Sequence, residues 1–332
     1  MKRILIIQTA FTGDVVLATA LIEKLKQFYP NTPIDFLLRK GNESLLQAHP
    51  HINKLWIWDK KKNKISNLLK LGFGIRKTGY SHIINVHRFA SSGMVCLLSG
   101  AKNIIGFNKN PLSFCFTLKM EHVISAADSK TWVHETERNQ LLISSLTDTK
   151  PALPKLYPST QDYEKIAPYQ SEPYICISPA SVWFTKQYPA NQWIKLIKHF
   201  PLNVKIYLLG GPGDVHLTQL IKTFNKDNNV EDLCGKLSFL QSAALIKGAI
   251  INYTNDSAPL HFATAMNAPV KAIFCSTVPA FGFGPLRQNG QTVEVLEQLP
   301  CRPCGLHGRK NCPEGHFKCA MNISLDQLYA GL

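Results

Sequence analysis

No apolar run in this 332-residue chain reaches the roughly 18–20 residues that a membrane-spanning helix needs. Acidic residues are scarce, with 22 Asp and Glu against 37 Lys and Arg and a formal net charge of +15. No Asp-x-Asp pair occurs anywhere, which argues against a nucleotide-sugar site clamped by Mg²⁺. The Walker pattern G-x-x-x-x-G-K-[ST] and the dinucleotide fingerprint G-x-G-x-x-G are both missing. Basic stripes interleaved with aromatics, the stacking platforms of single-strand binders, are also absent, so no nucleic-acid partner is expected. Short-period repeats and low-complexity tracts do not occur, and a hydrophobic fraction of 45% excludes wholesale disorder.

What is present is a repeating β-α rhythm. Residues 3–8 read as a buried strand, because Gln8, Thr9, Thr12 and Asp14 break the apolar stretch too early for a targeting segment. A cytoplasmic location is therefore expected. Leu17, Leu21, Leu25 and Phe28 form one stripe of a helix over 15–28 that Pro30 ends. Strands follow over 34–38, 54–58 and 82–86, with helices over 42–48 and 64–71. Four prolines between 151 and 168 mark a linker, and the rhythm then restarts. The second half shows strands at 173–178, 204–209, 249–253 and 270–274, helices at 191–200, 214–225, 238–247 and 259–266, and a last helix over 323–332. The fold class is α/β, with two parallel-sheet domains over 1–160 and 161–332 and a ligand-binding cleft between them.

The excess charge sits mostly in the first domain, where residues 1–150 hold 21 Lys and Arg against 10 Asp and Glu. Lys60-Lys61-Lys62-Asn63-Lys64 is the densest run, joined by Arg39-Lys40, Arg76-Lys77 and Arg88. Such a surface favours an acidic partner, whether phosphorylated glycolipid, anionic membrane or nucleic acid, or else is simply solvated.

Five segments could carry chemistry. Thr254-Asn255-Asp256-Ser257-Ala258-Pro259-Leu260-His261 reads as strand, tight loop and helix start, placing a carboxylate, a hydroxyl and an imidazole beside free backbone N–H groups. It suits the phosphates of a nucleotide sugar, or is an ordinary capped helix. Thr12-Gly13-Asp14 ends the first strand. Gly13 lets a ligand approach the backbone, and Asp14 can take the proton of an attacking hydroxyl or merely cap the helix. The loop over 179–189 carries Ser181, Thr185 and Lys186, and a lysine there can neutralise a departing diphosphate or lie idle on the surface. Gly210-Gly211-Pro212-Gly213 is a glycine turn opening a helix and fits a nucleotide-facing loop. Last, Cys301, Cys304, Cys312 and Cys319, spaced C-x₂-C-x₇-C-x₆-C, could hold a structural Zn²⁺ or an iron–sulfur cluster, or remain redox thiols.

Taken in order, these motifs resemble glycosyltransferase family 9, the lipopolysaccharide heptosyltransferases and their relatives. The resemblance lies in Gly13-Asp14-Val15 and the residues up to Leu21, in Lys186, in Gly235-Lys236-Leu237-Ser238, in the Thr254–His261 block and in Phe281-Gly282-Phe283-Gly284-Pro285. It implies a GT-B fold, two Rossmann-like domains with parallel sheets facing across a cleft. The first domain would bind an acidic glycolipid acceptor at the cytoplasmic face of the inner membrane, and the second the nucleotide sugar, ADP-heptose. Transfer would be inverting and metal-independent, with no catalytic cofactor. Asp14 would be the general base and Lys186 the holder of the donor phosphates, with Ser181 and Thr185 as further phosphate contacts. Asp256 would touch the donor sugar, Ser257 and His261 would complete the donor site, and Asp232 would face the ribose. Where the family carries glycine before the proline of its Asp-Ser-Gly-Pro-x-His pattern, this chain has Ala258. Two alternatives stay open: another GT-B-like enzyme such as a nucleotide-sugar epimerase, which leaves the basic first half unexplained, and a non-catalytic glycan- or nucleic-acid-binding protein.

Overall fold

The computed structural model describes residues 2–286 and 288–330. Its chain divides into two compact units. One runs up to Ile124 and takes in Val133–Tyr157; the other comprises Ser125–Trp132 and the chain from Pro158 onward.

The first unit contains β1 (Ile4–Ile7), α1 (Thr12–Phe28), β2 (Ile34–Arg39), β3 (Lys54–Trp58), α2 (Lys64–Thr78), β4 (His82–Asn85), α3 (Ala90–Ser99), β5 (Asn103–Phe107), β6 (Leu118–Met120) and α4 (Glu135–Leu141). The strands form one parallel sheet in the order β3-β2-β1-β4-β5-β6. β1 is Ile-Leu-Ile-Ile and wholly buried, as a strand covered on both faces must be. Leu5, Ile7, Leu37, Ile83 and Ile104 pack with Trp58, Leu68, Ile75 and Val95 into the core.

The second unit contains α5 (Thr160–Ile166), β7 (Tyr174–Ser178), α6 (Ala190–His199), β8 (Lys205–Leu208), α7 (Val215–Thr223), β9 (Val230–Asp232), α8 (Phe239–Gly248), β10 (Ile251–Asn255), α9 (Ala258–Met266), β11 (Val270–Phe274), β12 (Gly290–Glu294), α10 (Lys318–Met321) and α11 (Leu325–Tyr329). Its parallel sheet runs β12-β11-β10-β7-β8-β9. Counted from its own first strand, this is the 3-2-1-4-5-6 order of the first sheet, so both units are Rossmann-like. Their strand order reverses between β1 and β4 and between β7 and β10. Ligands of such sheets bind outside the strand ends at those switch points.

Several local expectations change. The helix expected over 42–48 is a single 3₁₀ turn, Glu43–Leu45. Asn42 cannot cap it, because its side chain accepts from Thr12 Oγ1 at 3.0 Å and donates to the Ala10 carbonyl. α2 continues seven residues beyond 71 through Gly72 and Gly74. A Cβ at Gly72 would come within 2.8 Å of Leu98, and one at Gly74 within 3.2 Å of Trp56, so both glycines serve close packing. Phe28, expected in the buried stripe of α1, is exposed, whereas Val15–Leu25 is buried all round. The unit boundary, between Tyr157 and Pro158, falls inside the proline-rich stretch, whose first part is bound to the first unit. Lys155 N–H bonds Thr19 Oγ1 at 3.0 Å and Tyr157 Oη donates to Glu23 at 2.9 Å, binding this segment to α1. Residues 160–166 are helical, capped by Ser159. The last helix is confined to Leu325–Tyr329, and residues 331–332 lie outside the described residues.

Candidate active site

In the first unit the loop after β1 is tied to the loops after its neighbours. Thr12 bonds Asn42 after β2, Lys60 Nζ after β3 donates to the Thr9 carbonyl at 2.7 Å, and Thr9 Oγ1 meets His87 Nδ1 after β4 at 3.0 Å. Gly13 and Asp14 lie in the first turn of α1. A helical backbone there does not demand glycine. Asp14 accepts a hydrogen bond from the Phe11 N–H at 3.1 Å, the reach-back of a third-position carboxylate onto the helix start.

Desolvation, and after it the charge of Glu135, pushes the pKa of Asp14 up to about 6; the Phe11 hydrogen bond and Arg88 pull the other way. The side chain is still part-exposed. Cations crowd the same strand ends. Arg39 lies 4.8 Å from the centroid of the Phe11 ring and Lys60 4.7 Å from that of Trp58. Burial, followed by repulsion from Arg39 and Lys64, brings the Lys60 ammonium down to about 8. Burial and the charges of Lys60, Arg88 and Arg39 drive His87 down to about 3, so its imidazole is neutral. Glu135 itself is buried, takes a hydrogen bond from Arg138 Nε at 2.8 Å, and faces His122 at 3.4 Å. Sequence reasoning gave no role to Glu135, Arg138, His122 or His87. For Glu135 and Arg138 the one sequence signal is the dense His134-Glu135-Thr136-Glu137-Arg138 run at a helix start; His87 and His122 carry none.

In the second unit β7 and β10 converge on Asn255, whose side chain accepts from Tyr188 N–H at 2.8 Å and donates to the Pro179 carbonyl at 2.7 Å. This pins both ends of the 179–189 loop to the tip of β10. Lys186 Nζ then lies 2.6 Å from Asp256 Oδ2, which also accepts from Thr277 Oγ1 at 2.7 Å. The expected phosphate lysine and the expected sugar-binding carboxylate are therefore partners of each other. Ser257 occupies the N-cap position of α9, but its hydroxyl makes no capping bond. His261 is buried in the same helix, its ring 6.3 Å from that of Phe283.

The remaining expected contacts are distributed unevenly. Ser181 is part-exposed, with its carbonyl accepting from Gln187 Nε2. Thr185 is 1% exposed. Its hydroxyl accepts from Arg309 N–H at 2.7 Å and from Ser276 at 3.0 Å, so it fastens the cysteine-rich segment to the loop. Gly308 sits at φ +78, where a Cβ would come 3.0 Å from Lys186. Gly210 needs to be glycine, since a Cβ would lie 2.8 Å from Cys234 Sγ, and Gly211 N–H bonds Asp214. Asp232 takes hydrogen bonds from Thr218 at one oxygen and from Cys234 N–H at the other, both 3.0 Å, with capacity for further donors.

The four late cysteines are free thiols. Burial, with Cys304 next, lifts Cys319 to about 12. Among the described residues no group of three or more His, Cys, Asp or Glu is placed to hold a metal ion. The segment is fastened to the end of β11 and the residues after it: Arg302 donates to the carbonyls of Phe274, Cys275 and Thr277, and Cys304 N–H donates to that of Ser276.

A family model described as glycosyltransferase family 9 (heptosyltransferase) matches residues 68–316. A lipopolysaccharide heptosyltransferase 1 of Campylobacter coli is 25% identical over 293 residues, covering 83% of this chain and 84% of the relative. Among solved structures, a family 9 glycosyl transferase from Veillonella parvula DSM 2008 superposes with a TM-score of 0.84 at 22% identity, covering 99% of this chain and 95% of that one. The E. coli ADP-heptose lipopolysaccharide heptosyltransferase II gives 0.76, also at 22% identity, covering 99% and 100%.

Proposed function

This chain belongs to glycosyltransferase family 9, the heptosyltransferases, and on that premise we propose that it transfers heptose from ADP-heptose to a lipopolysaccharide-core acceptor, with inversion and without a metal ion. Family membership makes it a glycosyltransferase rather than an epimerase or a non-catalytic binder. The donor assignment draws on the relatives, one of which is named for ADP-heptose.

In this reading the acceptor hydroxyl attacks the anomeric carbon and gives its proton to the Asp14 carboxylate. The bond from that carbon to the diphosphate breaks, and ADP leaves. The observation that carries the reading is Asp14, a carboxylate held at about 6 beside a switch point. Such a base is ionised at neutral pH and still basic enough to contribute roughly 10²–10⁴-fold. Arg39, Lys60 and Arg88 would receive the anionic groups of the acceptor.

Lys186 would compensate the charge that grows on the leaving diphosphate, aided by the N-terminus of α9. Asp256 holds Lys186 in place and would contact the donor sugar. Ser181, Thr185, Ser257 and His261 would line the donor site, Gly210, Gly211 and Asp232 the nucleoside side. Side-by-side calorimetric titration with ADP, UDP and GDP in metal-free buffer tests the donor. Tightest binding of ADP is expected; tighter binding of UDP or GDP would discard ADP-heptose.

A further inference from the structure

Helix α2 buries Leu68, Gly72 and Ile75 against its own unit. It leaves a second apolar row in solvent: Ile65 is 74% exposed, Leu69 39% and Phe73 53%. These residues are spaced four apart, so they follow one line along the helix. Lys70, Arg76 and Lys77 are exposed on the same helix, and α2 carries no acidic residue. The absence of negative charge extends far beyond it. From Lys60 to Met120 the chain has eleven Lys and Arg and not one Asp or Glu.

An apolar row beside lysines and arginines, in a segment stripped of carboxylates, has the composition of a helix that lies in a lipid interface. Its apolar side chains enter the acyl boundary while its cations meet anionic headgroups. A solvated face would not keep Ile, Leu and Phe in line. A second copy of the chain would bring like charges together, since both copies would present the same cations.

We propose that the outer face of α2, with Ile65, Leu69 and Phe73 as the inserted row and Lys70, Arg76 and Lys77 as headgroup contacts, docks this protein on an anionic lipid bilayer. The proposal deepens the reading above and rests on its lipid-borne acceptor only for why such docking is useful.

The test is sedimentation with phosphatidylcholine vesicles, pure or mixed in equal parts with phosphatidylglycerol. The full chain should bind the anionic vesicles and hardly bind the neutral ones. The triple variant Ile65→Ser, Leu69→Ser, Phe73→Ser should bind them at least roughly tenfold more weakly, and so should Lys70→Glu, Arg76→Glu, Lys77→Glu. Both variants should keep wild-type circular dichroism and wild-type transfer to a delipidated, soluble core oligosaccharide. A matched exposed triple, Leu202→Ser, Leu220→Ser, Phe224→Ser, should bind like wild type. Unchanged vesicle binding by the apolar variant would overturn the proposal, as would a wild-type dimer in light scattering that this variant dissolves. Vesicle binding with no transfer to any acceptor would leave the docking face standing and remove the enzymatic assignment instead.

Discussion

Asp14 combines two environments that pull its carboxyl in opposite directions. Crowding and Glu135 disfavour the charged form, whereas the Phe11 N–H and Arg88 favour it, and the balance lies at about 6. Lys60, brought down to about 8, is protonated only below that pH. If Asp14 must be ionised and Lys60 charged, kcat/KM rises through about pH 6 and falls above about pH 8. Glu135→Gln removes a negative neighbour and should move the acid limb to lower pH. A limb that stays in place would take Asp14 out of the role of base. Lys186→Ala should lower kcat/KM roughly 10²-fold and weaken ADP binding. It should also destabilise the fold, because Asp256 stays buried without its cation. Unchanged kinetics would put the phosphate contact elsewhere. Asp14 and Asp256 drew attention in the sequence because each falls between an apolar strand and the helix that follows it, and Lys186 because it sits in the long loop between β7 and α6. Arg39, Lys60 and Arg88 stood out only as part of a basic surface; that they and Glu135 gather near Asp14 was not readable, since they come from four separate segments that only the folded sheet unites. The Lys186–Asp256 pair was also out of reach, because nothing in the spacing says that two loops seventy residues apart will touch.

Elements announce themselves in sequence when burial is two-sided. Ile4–Ile7 and Val270–Phe274 are wholly buried strands and read as such. Gly290–Glu294, an edge strand of mixed polarity, carries no comparable pattern. α2 was read too short because Gly72 and Gly74 look like breakers until Leu98 and Trp56 are found beside them. The cysteine-rich segment was read for its thiols, yet what it contributes here is attachment, through Arg302, Cys304 and Arg309, to the strand ends and to Thr185. Thr185→Val removes the hydroxyl that receives Arg309 and Ser276. It should cost about 1–3 kcal/mol of stability and speed amide exchange selectively in the segment around Gly308 and Arg309, while Thr185→Ser restores both. Uniform exchange in both variants would show that the segment is held by other contacts.

At the scale of the whole molecule, one strand order is used twice. Each unit gathers charged side chains at its own switch point: a carboxylate among cations in the first, a cation–carboxylate pair at a helix start in the second. Charge follows the same division, with the excess of Lys and Arg concentrated in the first unit. No helix among the described residues is long and apolar enough to cross a membrane. If the acceptor is lipid-borne as proposed, the exposed row Ile65, Leu69 and Phe73 on α2 is where the bilayer would be met. The decisive measurement is heptosyl transfer from ADP-heptose to a heptose-deficient core acceptor, in EDTA, by wild type and Asp14→Asn, with ADP affinity measured on both. Wild type should form product, and the variant should lose at least roughly 10²-fold in rate with its ADP affinity unchanged. Equal rates, or a wild-type rate that appears only when Mg²⁺ is added, would contradict the account.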